Sequence, residues 1–532
     1  MRPFDKDGVF HPIDDVVALR RQAVRGAGIT VFSGGVGLSV QIVATVVLAR
    51  LLTPNDFGLV TMVTTFSMLL INFGWNGFTE AVIQRETIDR FLVSNLFWIN
   101  AGAGALLTIG FASAGSLLAR FYGDARVAHV CVAMSITIFI QTLAVQHLAL
   151  LKRAMFFSLT SANEIVSRFV SVVVSIVLAW AGWGYWGLVA GNVAQTLSTC
   201  VGAWWLCRWI PSLPRRAAGT KAMVLFAIRT YGRFFANYCT WNLDNLLVGW
   251  RFGPVSLGFY KKAYDLFALS TSQLVAPLTS VAVSALSRLN RTSNEFRRSL
   301  LGALGMTAFV GMAVGADLTL IGKDVIRVLL GPRWDEAGRI FMFFGPGIGV
   351  MLLYHTHGWI HLSIGRADRW LRWGLVEFGT TAILFLLGLH WGPIGIATAW
   401  TASFWILTLP SLWYAGRPIN LGIGPVVAIA WRYVVASWLA GGLAEVIIRR
   451  LPSSIAAANA VAAVARIAAI SLMFGVLYLG AVVLLHGGFA PLVRLSGLVR
   501  EMVPRVRSSM PSSGGAVNSG ASMGAPVNPT IE

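Results

Sequence analysis

Charge is scarce in this sequence. Only 12% of its 532 residues are Asp, Glu, Lys or Arg, about half the roughly 25% of an ordinary soluble domain. That shortage excludes several separate water-facing globules, each of which would need a polar skin. One large membrane body remains, in keeping with a hydrophobic content of 56% and a mean hydropathy of +0.70. Acidic residues are scarcer still, 22 against 42 Lys plus Arg. In a soluble chain that surplus would point to nucleic acid; here the cations must lie in loops beside the bilayer, against anionic lipid head groups. Cysteine is nearly absent. Cys131, Cys200, Cys207 and Cys239 stand in apolar stretches without paired ligand spacing, which excludes a disulfide framework or zinc site and leaves buried thiols. Long polar loops are missing too, the longest being the basic run from Arg208 to Tyr231, so no soluble catalytic domain fits. No cofactor motif is present: Gly345-Pro346-Gly347 has a Gly-x-Gly form, but no strand precedes it.

What is there is a succession of apolar runs. A spanning helix needs about 20 mainly apolar residues, and fourteen stretches qualify: 27–49, 57–79, 91–119, 127–151, 165–182, 184–207, 232–250, 263–286, 301–322, 340–361, 371–389, 393–414, 422–448 and 460–486. The expected fold is therefore an all-α integral membrane protein with about fourteen transmembrane helices. The first 26 residues are polar, include Arg20, Arg21 and Arg25, and lead to no small-residue cleavage site, so they read as an uncleaved segment and not a signal peptide. With the N-terminus inside, Lys and Arg on the inner side outnumber those outside by more than two to one. The positive-inside bias then predicts that both termini are cytoplasmic.

Two short patterns recur. LARLLTPNDFGLV, with Pro54, Phe57 and Gly58, returns as VGWRFGPVSLGFY, with Pro254, Leu257 and Gly258; WGYWGLVA, with Trp183, Gly184 and Gly187, returns as WGPIGIAT, with Trp391, Gly392 and Gly395. Both recurrences fall six spans apart, and an even shift preserves orientation, so the repeats should be related by an axis along the membrane normal. The expected organisation is a cytoplasmic segment (1–26), a six-helix lobe (27–207), a basic linker (208–231), a second six-helix lobe (232–414), two extra helices (415–487) and a tail (488–532). From Ser508 the tail is rich in Gly, Ser, Pro and Asn, too poor in apolar bulk to offset ordering entropy. Paired lobes that rock about a central site argue for a transporter.

LARLLTPNDFGLVTMVTTFS, AVIQRETI, WNLDNLLVGWRFGPVSLGFYKKAYDL, LLGPRWDEAG and IGRAD occur in that order over helices one to twelve. In these motifs the chain resembles the polysaccharide transport branch of the MATE/Wzx/MurJ superfamily, the Wzx-type flippases. The resemblance implies a non-enzymatic bacterial inner-membrane protein without cofactor. Its implied substrate is an undecaprenyl-pyrophosphate-linked oligosaccharide, moved from the inner to the outer leaflet, with polysaccharide polymerase and export proteins as further partners. Glu80 departs from the pattern, standing where the family tends to carry a small residue.

An ionisable group inside a span is costly and by default faces a cavity or a partner. Asp244 shares a polar face with Asn237 and Asn245. It either packs a polar seam or faces the central cavity, where Arg251 or a cation of the next helix could pair with it. Arg50, Arg251, Lys261 and Lys262 gather at the expected outer ends of helices one, seven and eight, as snorkelling interface cations or as a pyrophosphate site; the resemblance favours Arg50 and Lys262 for the latter. Asp317 and Glu377 are candidates for a coupling ion or for local ion pairs. Gly345, Pro346, Gly347 and Gly349 suggest a kink in helix ten. His357 and His361 share a helical face without a third ligand, so polar cavity histidines are favoured over a metal site.

Three rivals remain. A MATE-type cation exporter needs buried carboxylates, and the first three expected spans contain none. A membrane oligosaccharide polymerase or ligase needs a large outer loop, which is missing. A lipid II flippase lies within the same superfamily.

Overall fold

The computed structural model describes residues 3–4, 10, 16–85, 87–215, 220–289, 294–450, 460–489 and 493. The side chains of Arg20, Arg21 and Arg25 and the tail from Ser508 lie outside the described residues. Met1–Leu485 is one compact unit and His486–Glu532 a second. The first unit is helical, in the order α1 (Val16–Leu51), α2 (Pro54–Gln84), α3 (Arg90–Ser113), α4 (Gly115–Tyr122), α5 (Arg126–Arg153), α6 (Phe157–Trp180), α7 (Tyr185–Cys207), α8 (Thr220–Leu286), α9 (Asn294–Leu330), α10 (Asp335–Ser363), α11 (Ala367–Gly388), α12 (Gly392–Gly416), α13 (Ile423–Arg450) and α14 (Ala460–His486). The expected apolar runs fall on these helices. Ten stretches of described residues, against the fourteen expected, are long and apolar enough to cross a membrane, one of them spanning both α11 and α12.

Helix α8 has 67 residues. Straight, it would be about 100 Å long, roughly three times the hydrocarbon thickness, so it has to fold back. It does so at Gly253, whose φ of 78° and ψ of −178° are open to glycine and costly for other residues. The halves 220–252 and 254–286 then lie against each other, with Leu257 at Gly249. Helix α8 also begins earlier than expected, which shortens the linker 208–231. Met223, Ala227 and Tyr231 recur at helical spacing on the inward side, Ala227 and Tyr231 against α2, while Lys221 and Arg229 point outward. Those outward charges lower the average hydropathy and hide the stripe.

The repeat is visible in the backbone. Gly184 (φ 54°, ψ −132°) and Gly392 (φ 70°, ψ −157°) open α7 and α12 in closely similar conformations. Three residues on, Gly187 packs on the backbone of α6 and Gly395 on the carbonyl of Gly388, so each Trp-Gly-x-x-Gly motif closes a tight helical hairpin. The other pair is reciprocal: Gly58 lies on the Pro254 carbonyl and Gly258 on the Pro54 carbonyl. Reciprocity of this kind is the signature of a twofold operator. Both helices begin at this contact, so a twofold that exchanges them keeps their direction, as a parallel repeat requires. The fold class is thus two helical lobes in parallel repeat, followed by α13 and α14.

The lobes meet unequally. Helix α2 lies against the first half of α8 along its length: Gly77 sits on the Ala227 carbonyl, while the Tyr231 and Tyr238 hydroxyls donate to the carbonyls of Leu69 and Thr65. Helix α1 rests mainly on α6 and, at its C-terminal end, on α9. The glycines and proline of α10 leave the helix continuous. The helix runs through Pro346, and Gly345, Gly347 and Gly349 let the backbone approach Thr319, Thr401 and Gly311, the small-residue packing found between membrane helices. Thr401 and Trp405 donate to the Phe343 and Pro346 carbonyls, satisfying backbone near the proline.

Candidate functional site

The start of α2 builds one end of the seam between the lobes. Thr53 and Asp56 form a reciprocal cap, Thr53 N–H donating to Asp56 Oδ2 at 2.9 Å and Asp56 N–H to Thr53 Oγ1 at 3.4 Å. Such a cap stabilises a helix start by about 1 kcal/mol. It aims Phe57 and Gly58 at the second lobe. There the turn at Gly331 (φ 97°) and Pro332 swings Trp334 inward, fully buried. Its indole donates to the Ala49 carbonyl at 2.9 Å, and its ring meets Phe57 at 5.5 Å and Phe259 at 6.0 Å. Arg50 Nη2 donates to the Val328 carbonyl at 3.1 Å. Together these contacts seal one end of the interface. Close by, at the turn before α5, hydrogen bonding from Arg126 holds the Asp124 carboxyl below its ordinary range, and Arg126 also reaches Asn55. The depressed value means this link is intact at neutral pH and is lost as pH falls through it.

The four candidate cations are placed differently. Lys262 is nearly buried, 4.0 Å above the Phe57 ring and 3.8 Å from Asp265. Lys261 pairs with Asp265 at 2.5 Å. Arg50 is exposed apart from its contact with α9, and Arg251 is exposed over the neighbouring Phe252 ring. The structure therefore joins Arg50 and Lys262 to the sealed end through Val328 and Phe57.

Asp244 is fully buried, and among the described residues no cation lies within ion-pair distance of it; of the expected partners, Lys261 at the start of the second half of α8 acts on it from further off. Its carboxylate accepts from Tyr260 Oη at 2.7 Å, Trp400 Nε1 at 2.9 Å and the backbone N–H of the equally buried Asn245 at 2.7 Å. These bonds hold both halves of α8 to α12. The fold-back at Gly253 is what returns Tyr260 to Asp244. Trp400 continues to Trp241 at 5.3 Å, and Trp241 stacks on His355 at 6.0 Å. One residue before His355, the Tyr354 hydroxyl accepts from Trp373 at 2.9 Å and faces Glu377. Asp244, Asn245 and Glu377 thus belong to the aromatic interior of the second lobe. Asp317 does not: it accepts from Ser471 of α14 at 3.0 Å, and the Arg466–Asp324 pair joins the same two helices. Among the described residues no group of three or more His, Cys, Asp or Glu side chains could hold a metal. Glu80 is half-buried on α2.

Trp334, Tyr260 and Trp400 are the site residues that sequence reasoning passed over. Trp334 had a signal, the Gly-Pro-Arg-Trp turn; the other two are ordinary aromatics until the chain is folded.

Two lobes of membrane helices in parallel repeat, closed at one end and carrying buried carboxylates in one lobe, define a multi-pass membrane transporter. Residues 47–339, more than half of the chain, match the family described as polysaccharide biosynthesis protein, and the chain belongs to that family. It is 21% identical over 389 residues, 73% of this chain and 79% of the relative, to the succinoglycan biosynthesis transport protein ExoT of Rhizobium meliloti (strain 1021). Identity to the teichuronic acid biosynthesis protein TuaB of Bacillus subtilis (strain 168) is 24%, over 70% of this chain and 76% of the relative. In fold it is similar to the lipid II flippase MurJ in an inward closed conformation, with a TM-score of 0.69 at 14% identity over 88% of this chain and all of that one. An inward-facing multidrug MATE transporter of the MOP superfamily gives a TM-score of 0.57 at 13% identity, over 72% and 94%.

Proposed function

We propose that the protein flips undecaprenyl-pyrophosphate-linked oligosaccharide repeat units from the inner to the outer leaflet of the bacterial cytoplasmic membrane, for exopolysaccharide, capsule or O-antigen synthesis. It does so by alternating access and without catalysis. The observation that carries this reading is the unequal seam: a seal at the Pro54 and Pro254 end, with α1 and the second half of α8 joined by no comparable set of side-chain contacts among the described residues. A lipid-linked glycan could enter there sideways, its prenyl tail left in the bilayer. A pyrophosphate brought into such a site needs countercharge, since an unpaired buried anion is prohibitive, whereas sugars need only hydrogen bonds and stacking faces. Arg50, Arg251, Lys261 and Lys262 supply the countercharge on this reading, and Lys262 is released from Phe57 as the seal opens. Asp244, Asn245 and Glu377 carry the coupling step, and Asp317 anchors α14.

Flipping of a fluorescent lipid-linked oligosaccharide in proteoliposomes tests this. Arg50→Ala, Arg251→Ala and Lys262→Ala should each slow transport, by about 1.5–3 kcal/mol where a charge-assisted contact is lost, while Lys in place of Arg retains more. Three Ala variants that all flip normally would remove the basic site.

The charge bias puts the sealed end outside and both termini in the cytoplasm, with anionic lipids along the inner loops. Reporter fusions after Arg450 should read outside and those after Arg500 inside. A fusion after Arg216 that reads outside would reverse the orientation.

A further inference from the structure

Helix α10 carries two buried histidines whose hydrogen-bonding capacity is largely unused among the described residues. His357 and His361 are 3% and 1% exposed, lie one turn apart, and have ring centroids 5.9 Å apart. His357 Nδ1 bonds to the Tyr354 carbonyl. A carbonyl only accepts, so Nδ1 carries the proton and the neutral ring presents Nε2 as a bare acceptor. That Nε2, and both ring nitrogens of His361, are buried without a hydrogen-bond partner among the described residues. Buried polar atoms are nearly always satisfied, and three such nitrogens on one face call for an exchangeable occupant.

Their placement forms a ladder. At 1.5 Å per residue, His361 sits about 3 Å inside the Ser363 end of α10, His357 one turn deeper and Tyr354 a further turn in. Tyr354 meets the His357 ring at 4.6 Å and faces Glu377 of α11. The groups around the pair are few. Helix α11 contributes Asp368, Arg369 and Glu377, and Arg369 is held over the Tyr414 ring of α12 at 4.1 Å with a bond to the Tyr414 carbonyl. Tyr414 itself lies 6.0 Å from His361, Trp373 lies 6.4 Å from His357, and His355 is the remaining titratable neighbour on α10. A fixed metal would need a third ligand, and none is grouped with them among the described residues.

We infer that His357 and His361 form a proton route between Glu377 and the inner face of the second lobe, which makes the proton the coupling ion. This rests on the flippase reading. The balance runs through Tyr354, the group that faces Glu377: the Glu377 carboxyl gives its proton to the Tyr354 hydroxyl and becomes a carboxylate, the hydroxyl releases its own proton in exchange, and that proton is held in turn on His357 Nε2 and on His361 before it passes to the inner solvent. With the outer end sealed, as here, the route is the release limb of the cycle; loading of Glu377 belongs to the opposite state.

The test uses the full chain in proteoliposomes containing a pH-sensitive dye, with the same fluorescent lipid-linked oligosaccharide as probe. Substrate-dependent proton movement should slow on the order of a hundredfold in His357→Gln and His361→Gln. His357→Ala should regain part of its rate when imidazole is added, a rescue that a purely structural histidine would not give. Gln variants with wild-type proton flux, or flipping driven by a sodium gradient with no proton movement, would overturn the route. A wild-type protein that flips nothing sinks the flippase reading instead.

Discussion

Gly58→Ala and Gly258→Ala should each pry the sealed end open. A Cβ at position 58 would lie 1.7 Å from the Pro254 carbonyl oxygen, and one at 258 would lie 1.9 Å from that of Pro54. Both obstacles are backbone, so no rotamer change relieves them, and the helices must separate by about 1.5 Å or more to restore van der Waals contact. Overpacking of this kind costs about 1–3 kcal/mol. If the open state escapes that cost, the ratio of sealed to open molecules shifts by roughly 5- to 150-fold. Spin labels at Leu51 and Arg327 would report it as a longer distance population. The reciprocal contact adds a sharper expectation: one separation relieves both collisions, so the double variant should cost clearly less than the sum of the singles. Distances and export that match wild type in both single variants would show that the two glycines do not close the end.

The second large effect concerns Asp244. In Asp244→Leu the Tyr260 hydroxyl and the Trp400 indole, both buried, lose their acceptor, and each stranded donor costs about 1–3 kcal/mol. Asp244→Asn keeps one oxygen for one of the two donors and should be clearly milder. Tyr260→Phe and Trp400→Phe each withdraw one of the two side-chain bonds that hold both halves of α8 to α12, and should fall between Asn and wild type. Thermal unfolding in detergent gives the order directly. A Leu variant that melts with wild type would mean the carboxylate does not hold these helices together.

How much could be read from the chain depended on distance along it. Helix positions were legible because the bilayer demands long apolar runs, and the Trp-Gly-x-x-Gly hairpins because a positive φ demands glycine at 184 and 392. The start of α8 was hidden because a hydropathy average cannot separate Met223 and Ala227 from the outward Lys221 and Arg229. The packing role of the Gly-Pro-Gly of α10 was hidden for a different reason: its glycines serve neighbours on α9 and α12, which are remote in sequence. Asp244 stood out by composition, yet its partners lie 16 and 156 residues away, one across a fold-back and one on another helix. The same holds for Asp317, whose partner on α14 is 154 residues distant. Of the basic residues, the sequence placed Arg50 and Lys262 near one membrane face, but only folding set Lys262 on Phe57.

The backbone contact between Pro54, Gly58, Pro254 and Gly258 also makes an electrical insulator. A bacterial membrane stores about 2.3 kcal/mol per elementary charge for each 100 mV, and a carrier wide enough for a glycan is a potential short circuit. Where carbonyl meets glycine Cα there is no width for a file of water, and the buried Trp334 ring packs on Phe57 next to it. A larger residue at either glycine should therefore raise ion leak as well as slow export, and a membrane-potential dye would read the leak.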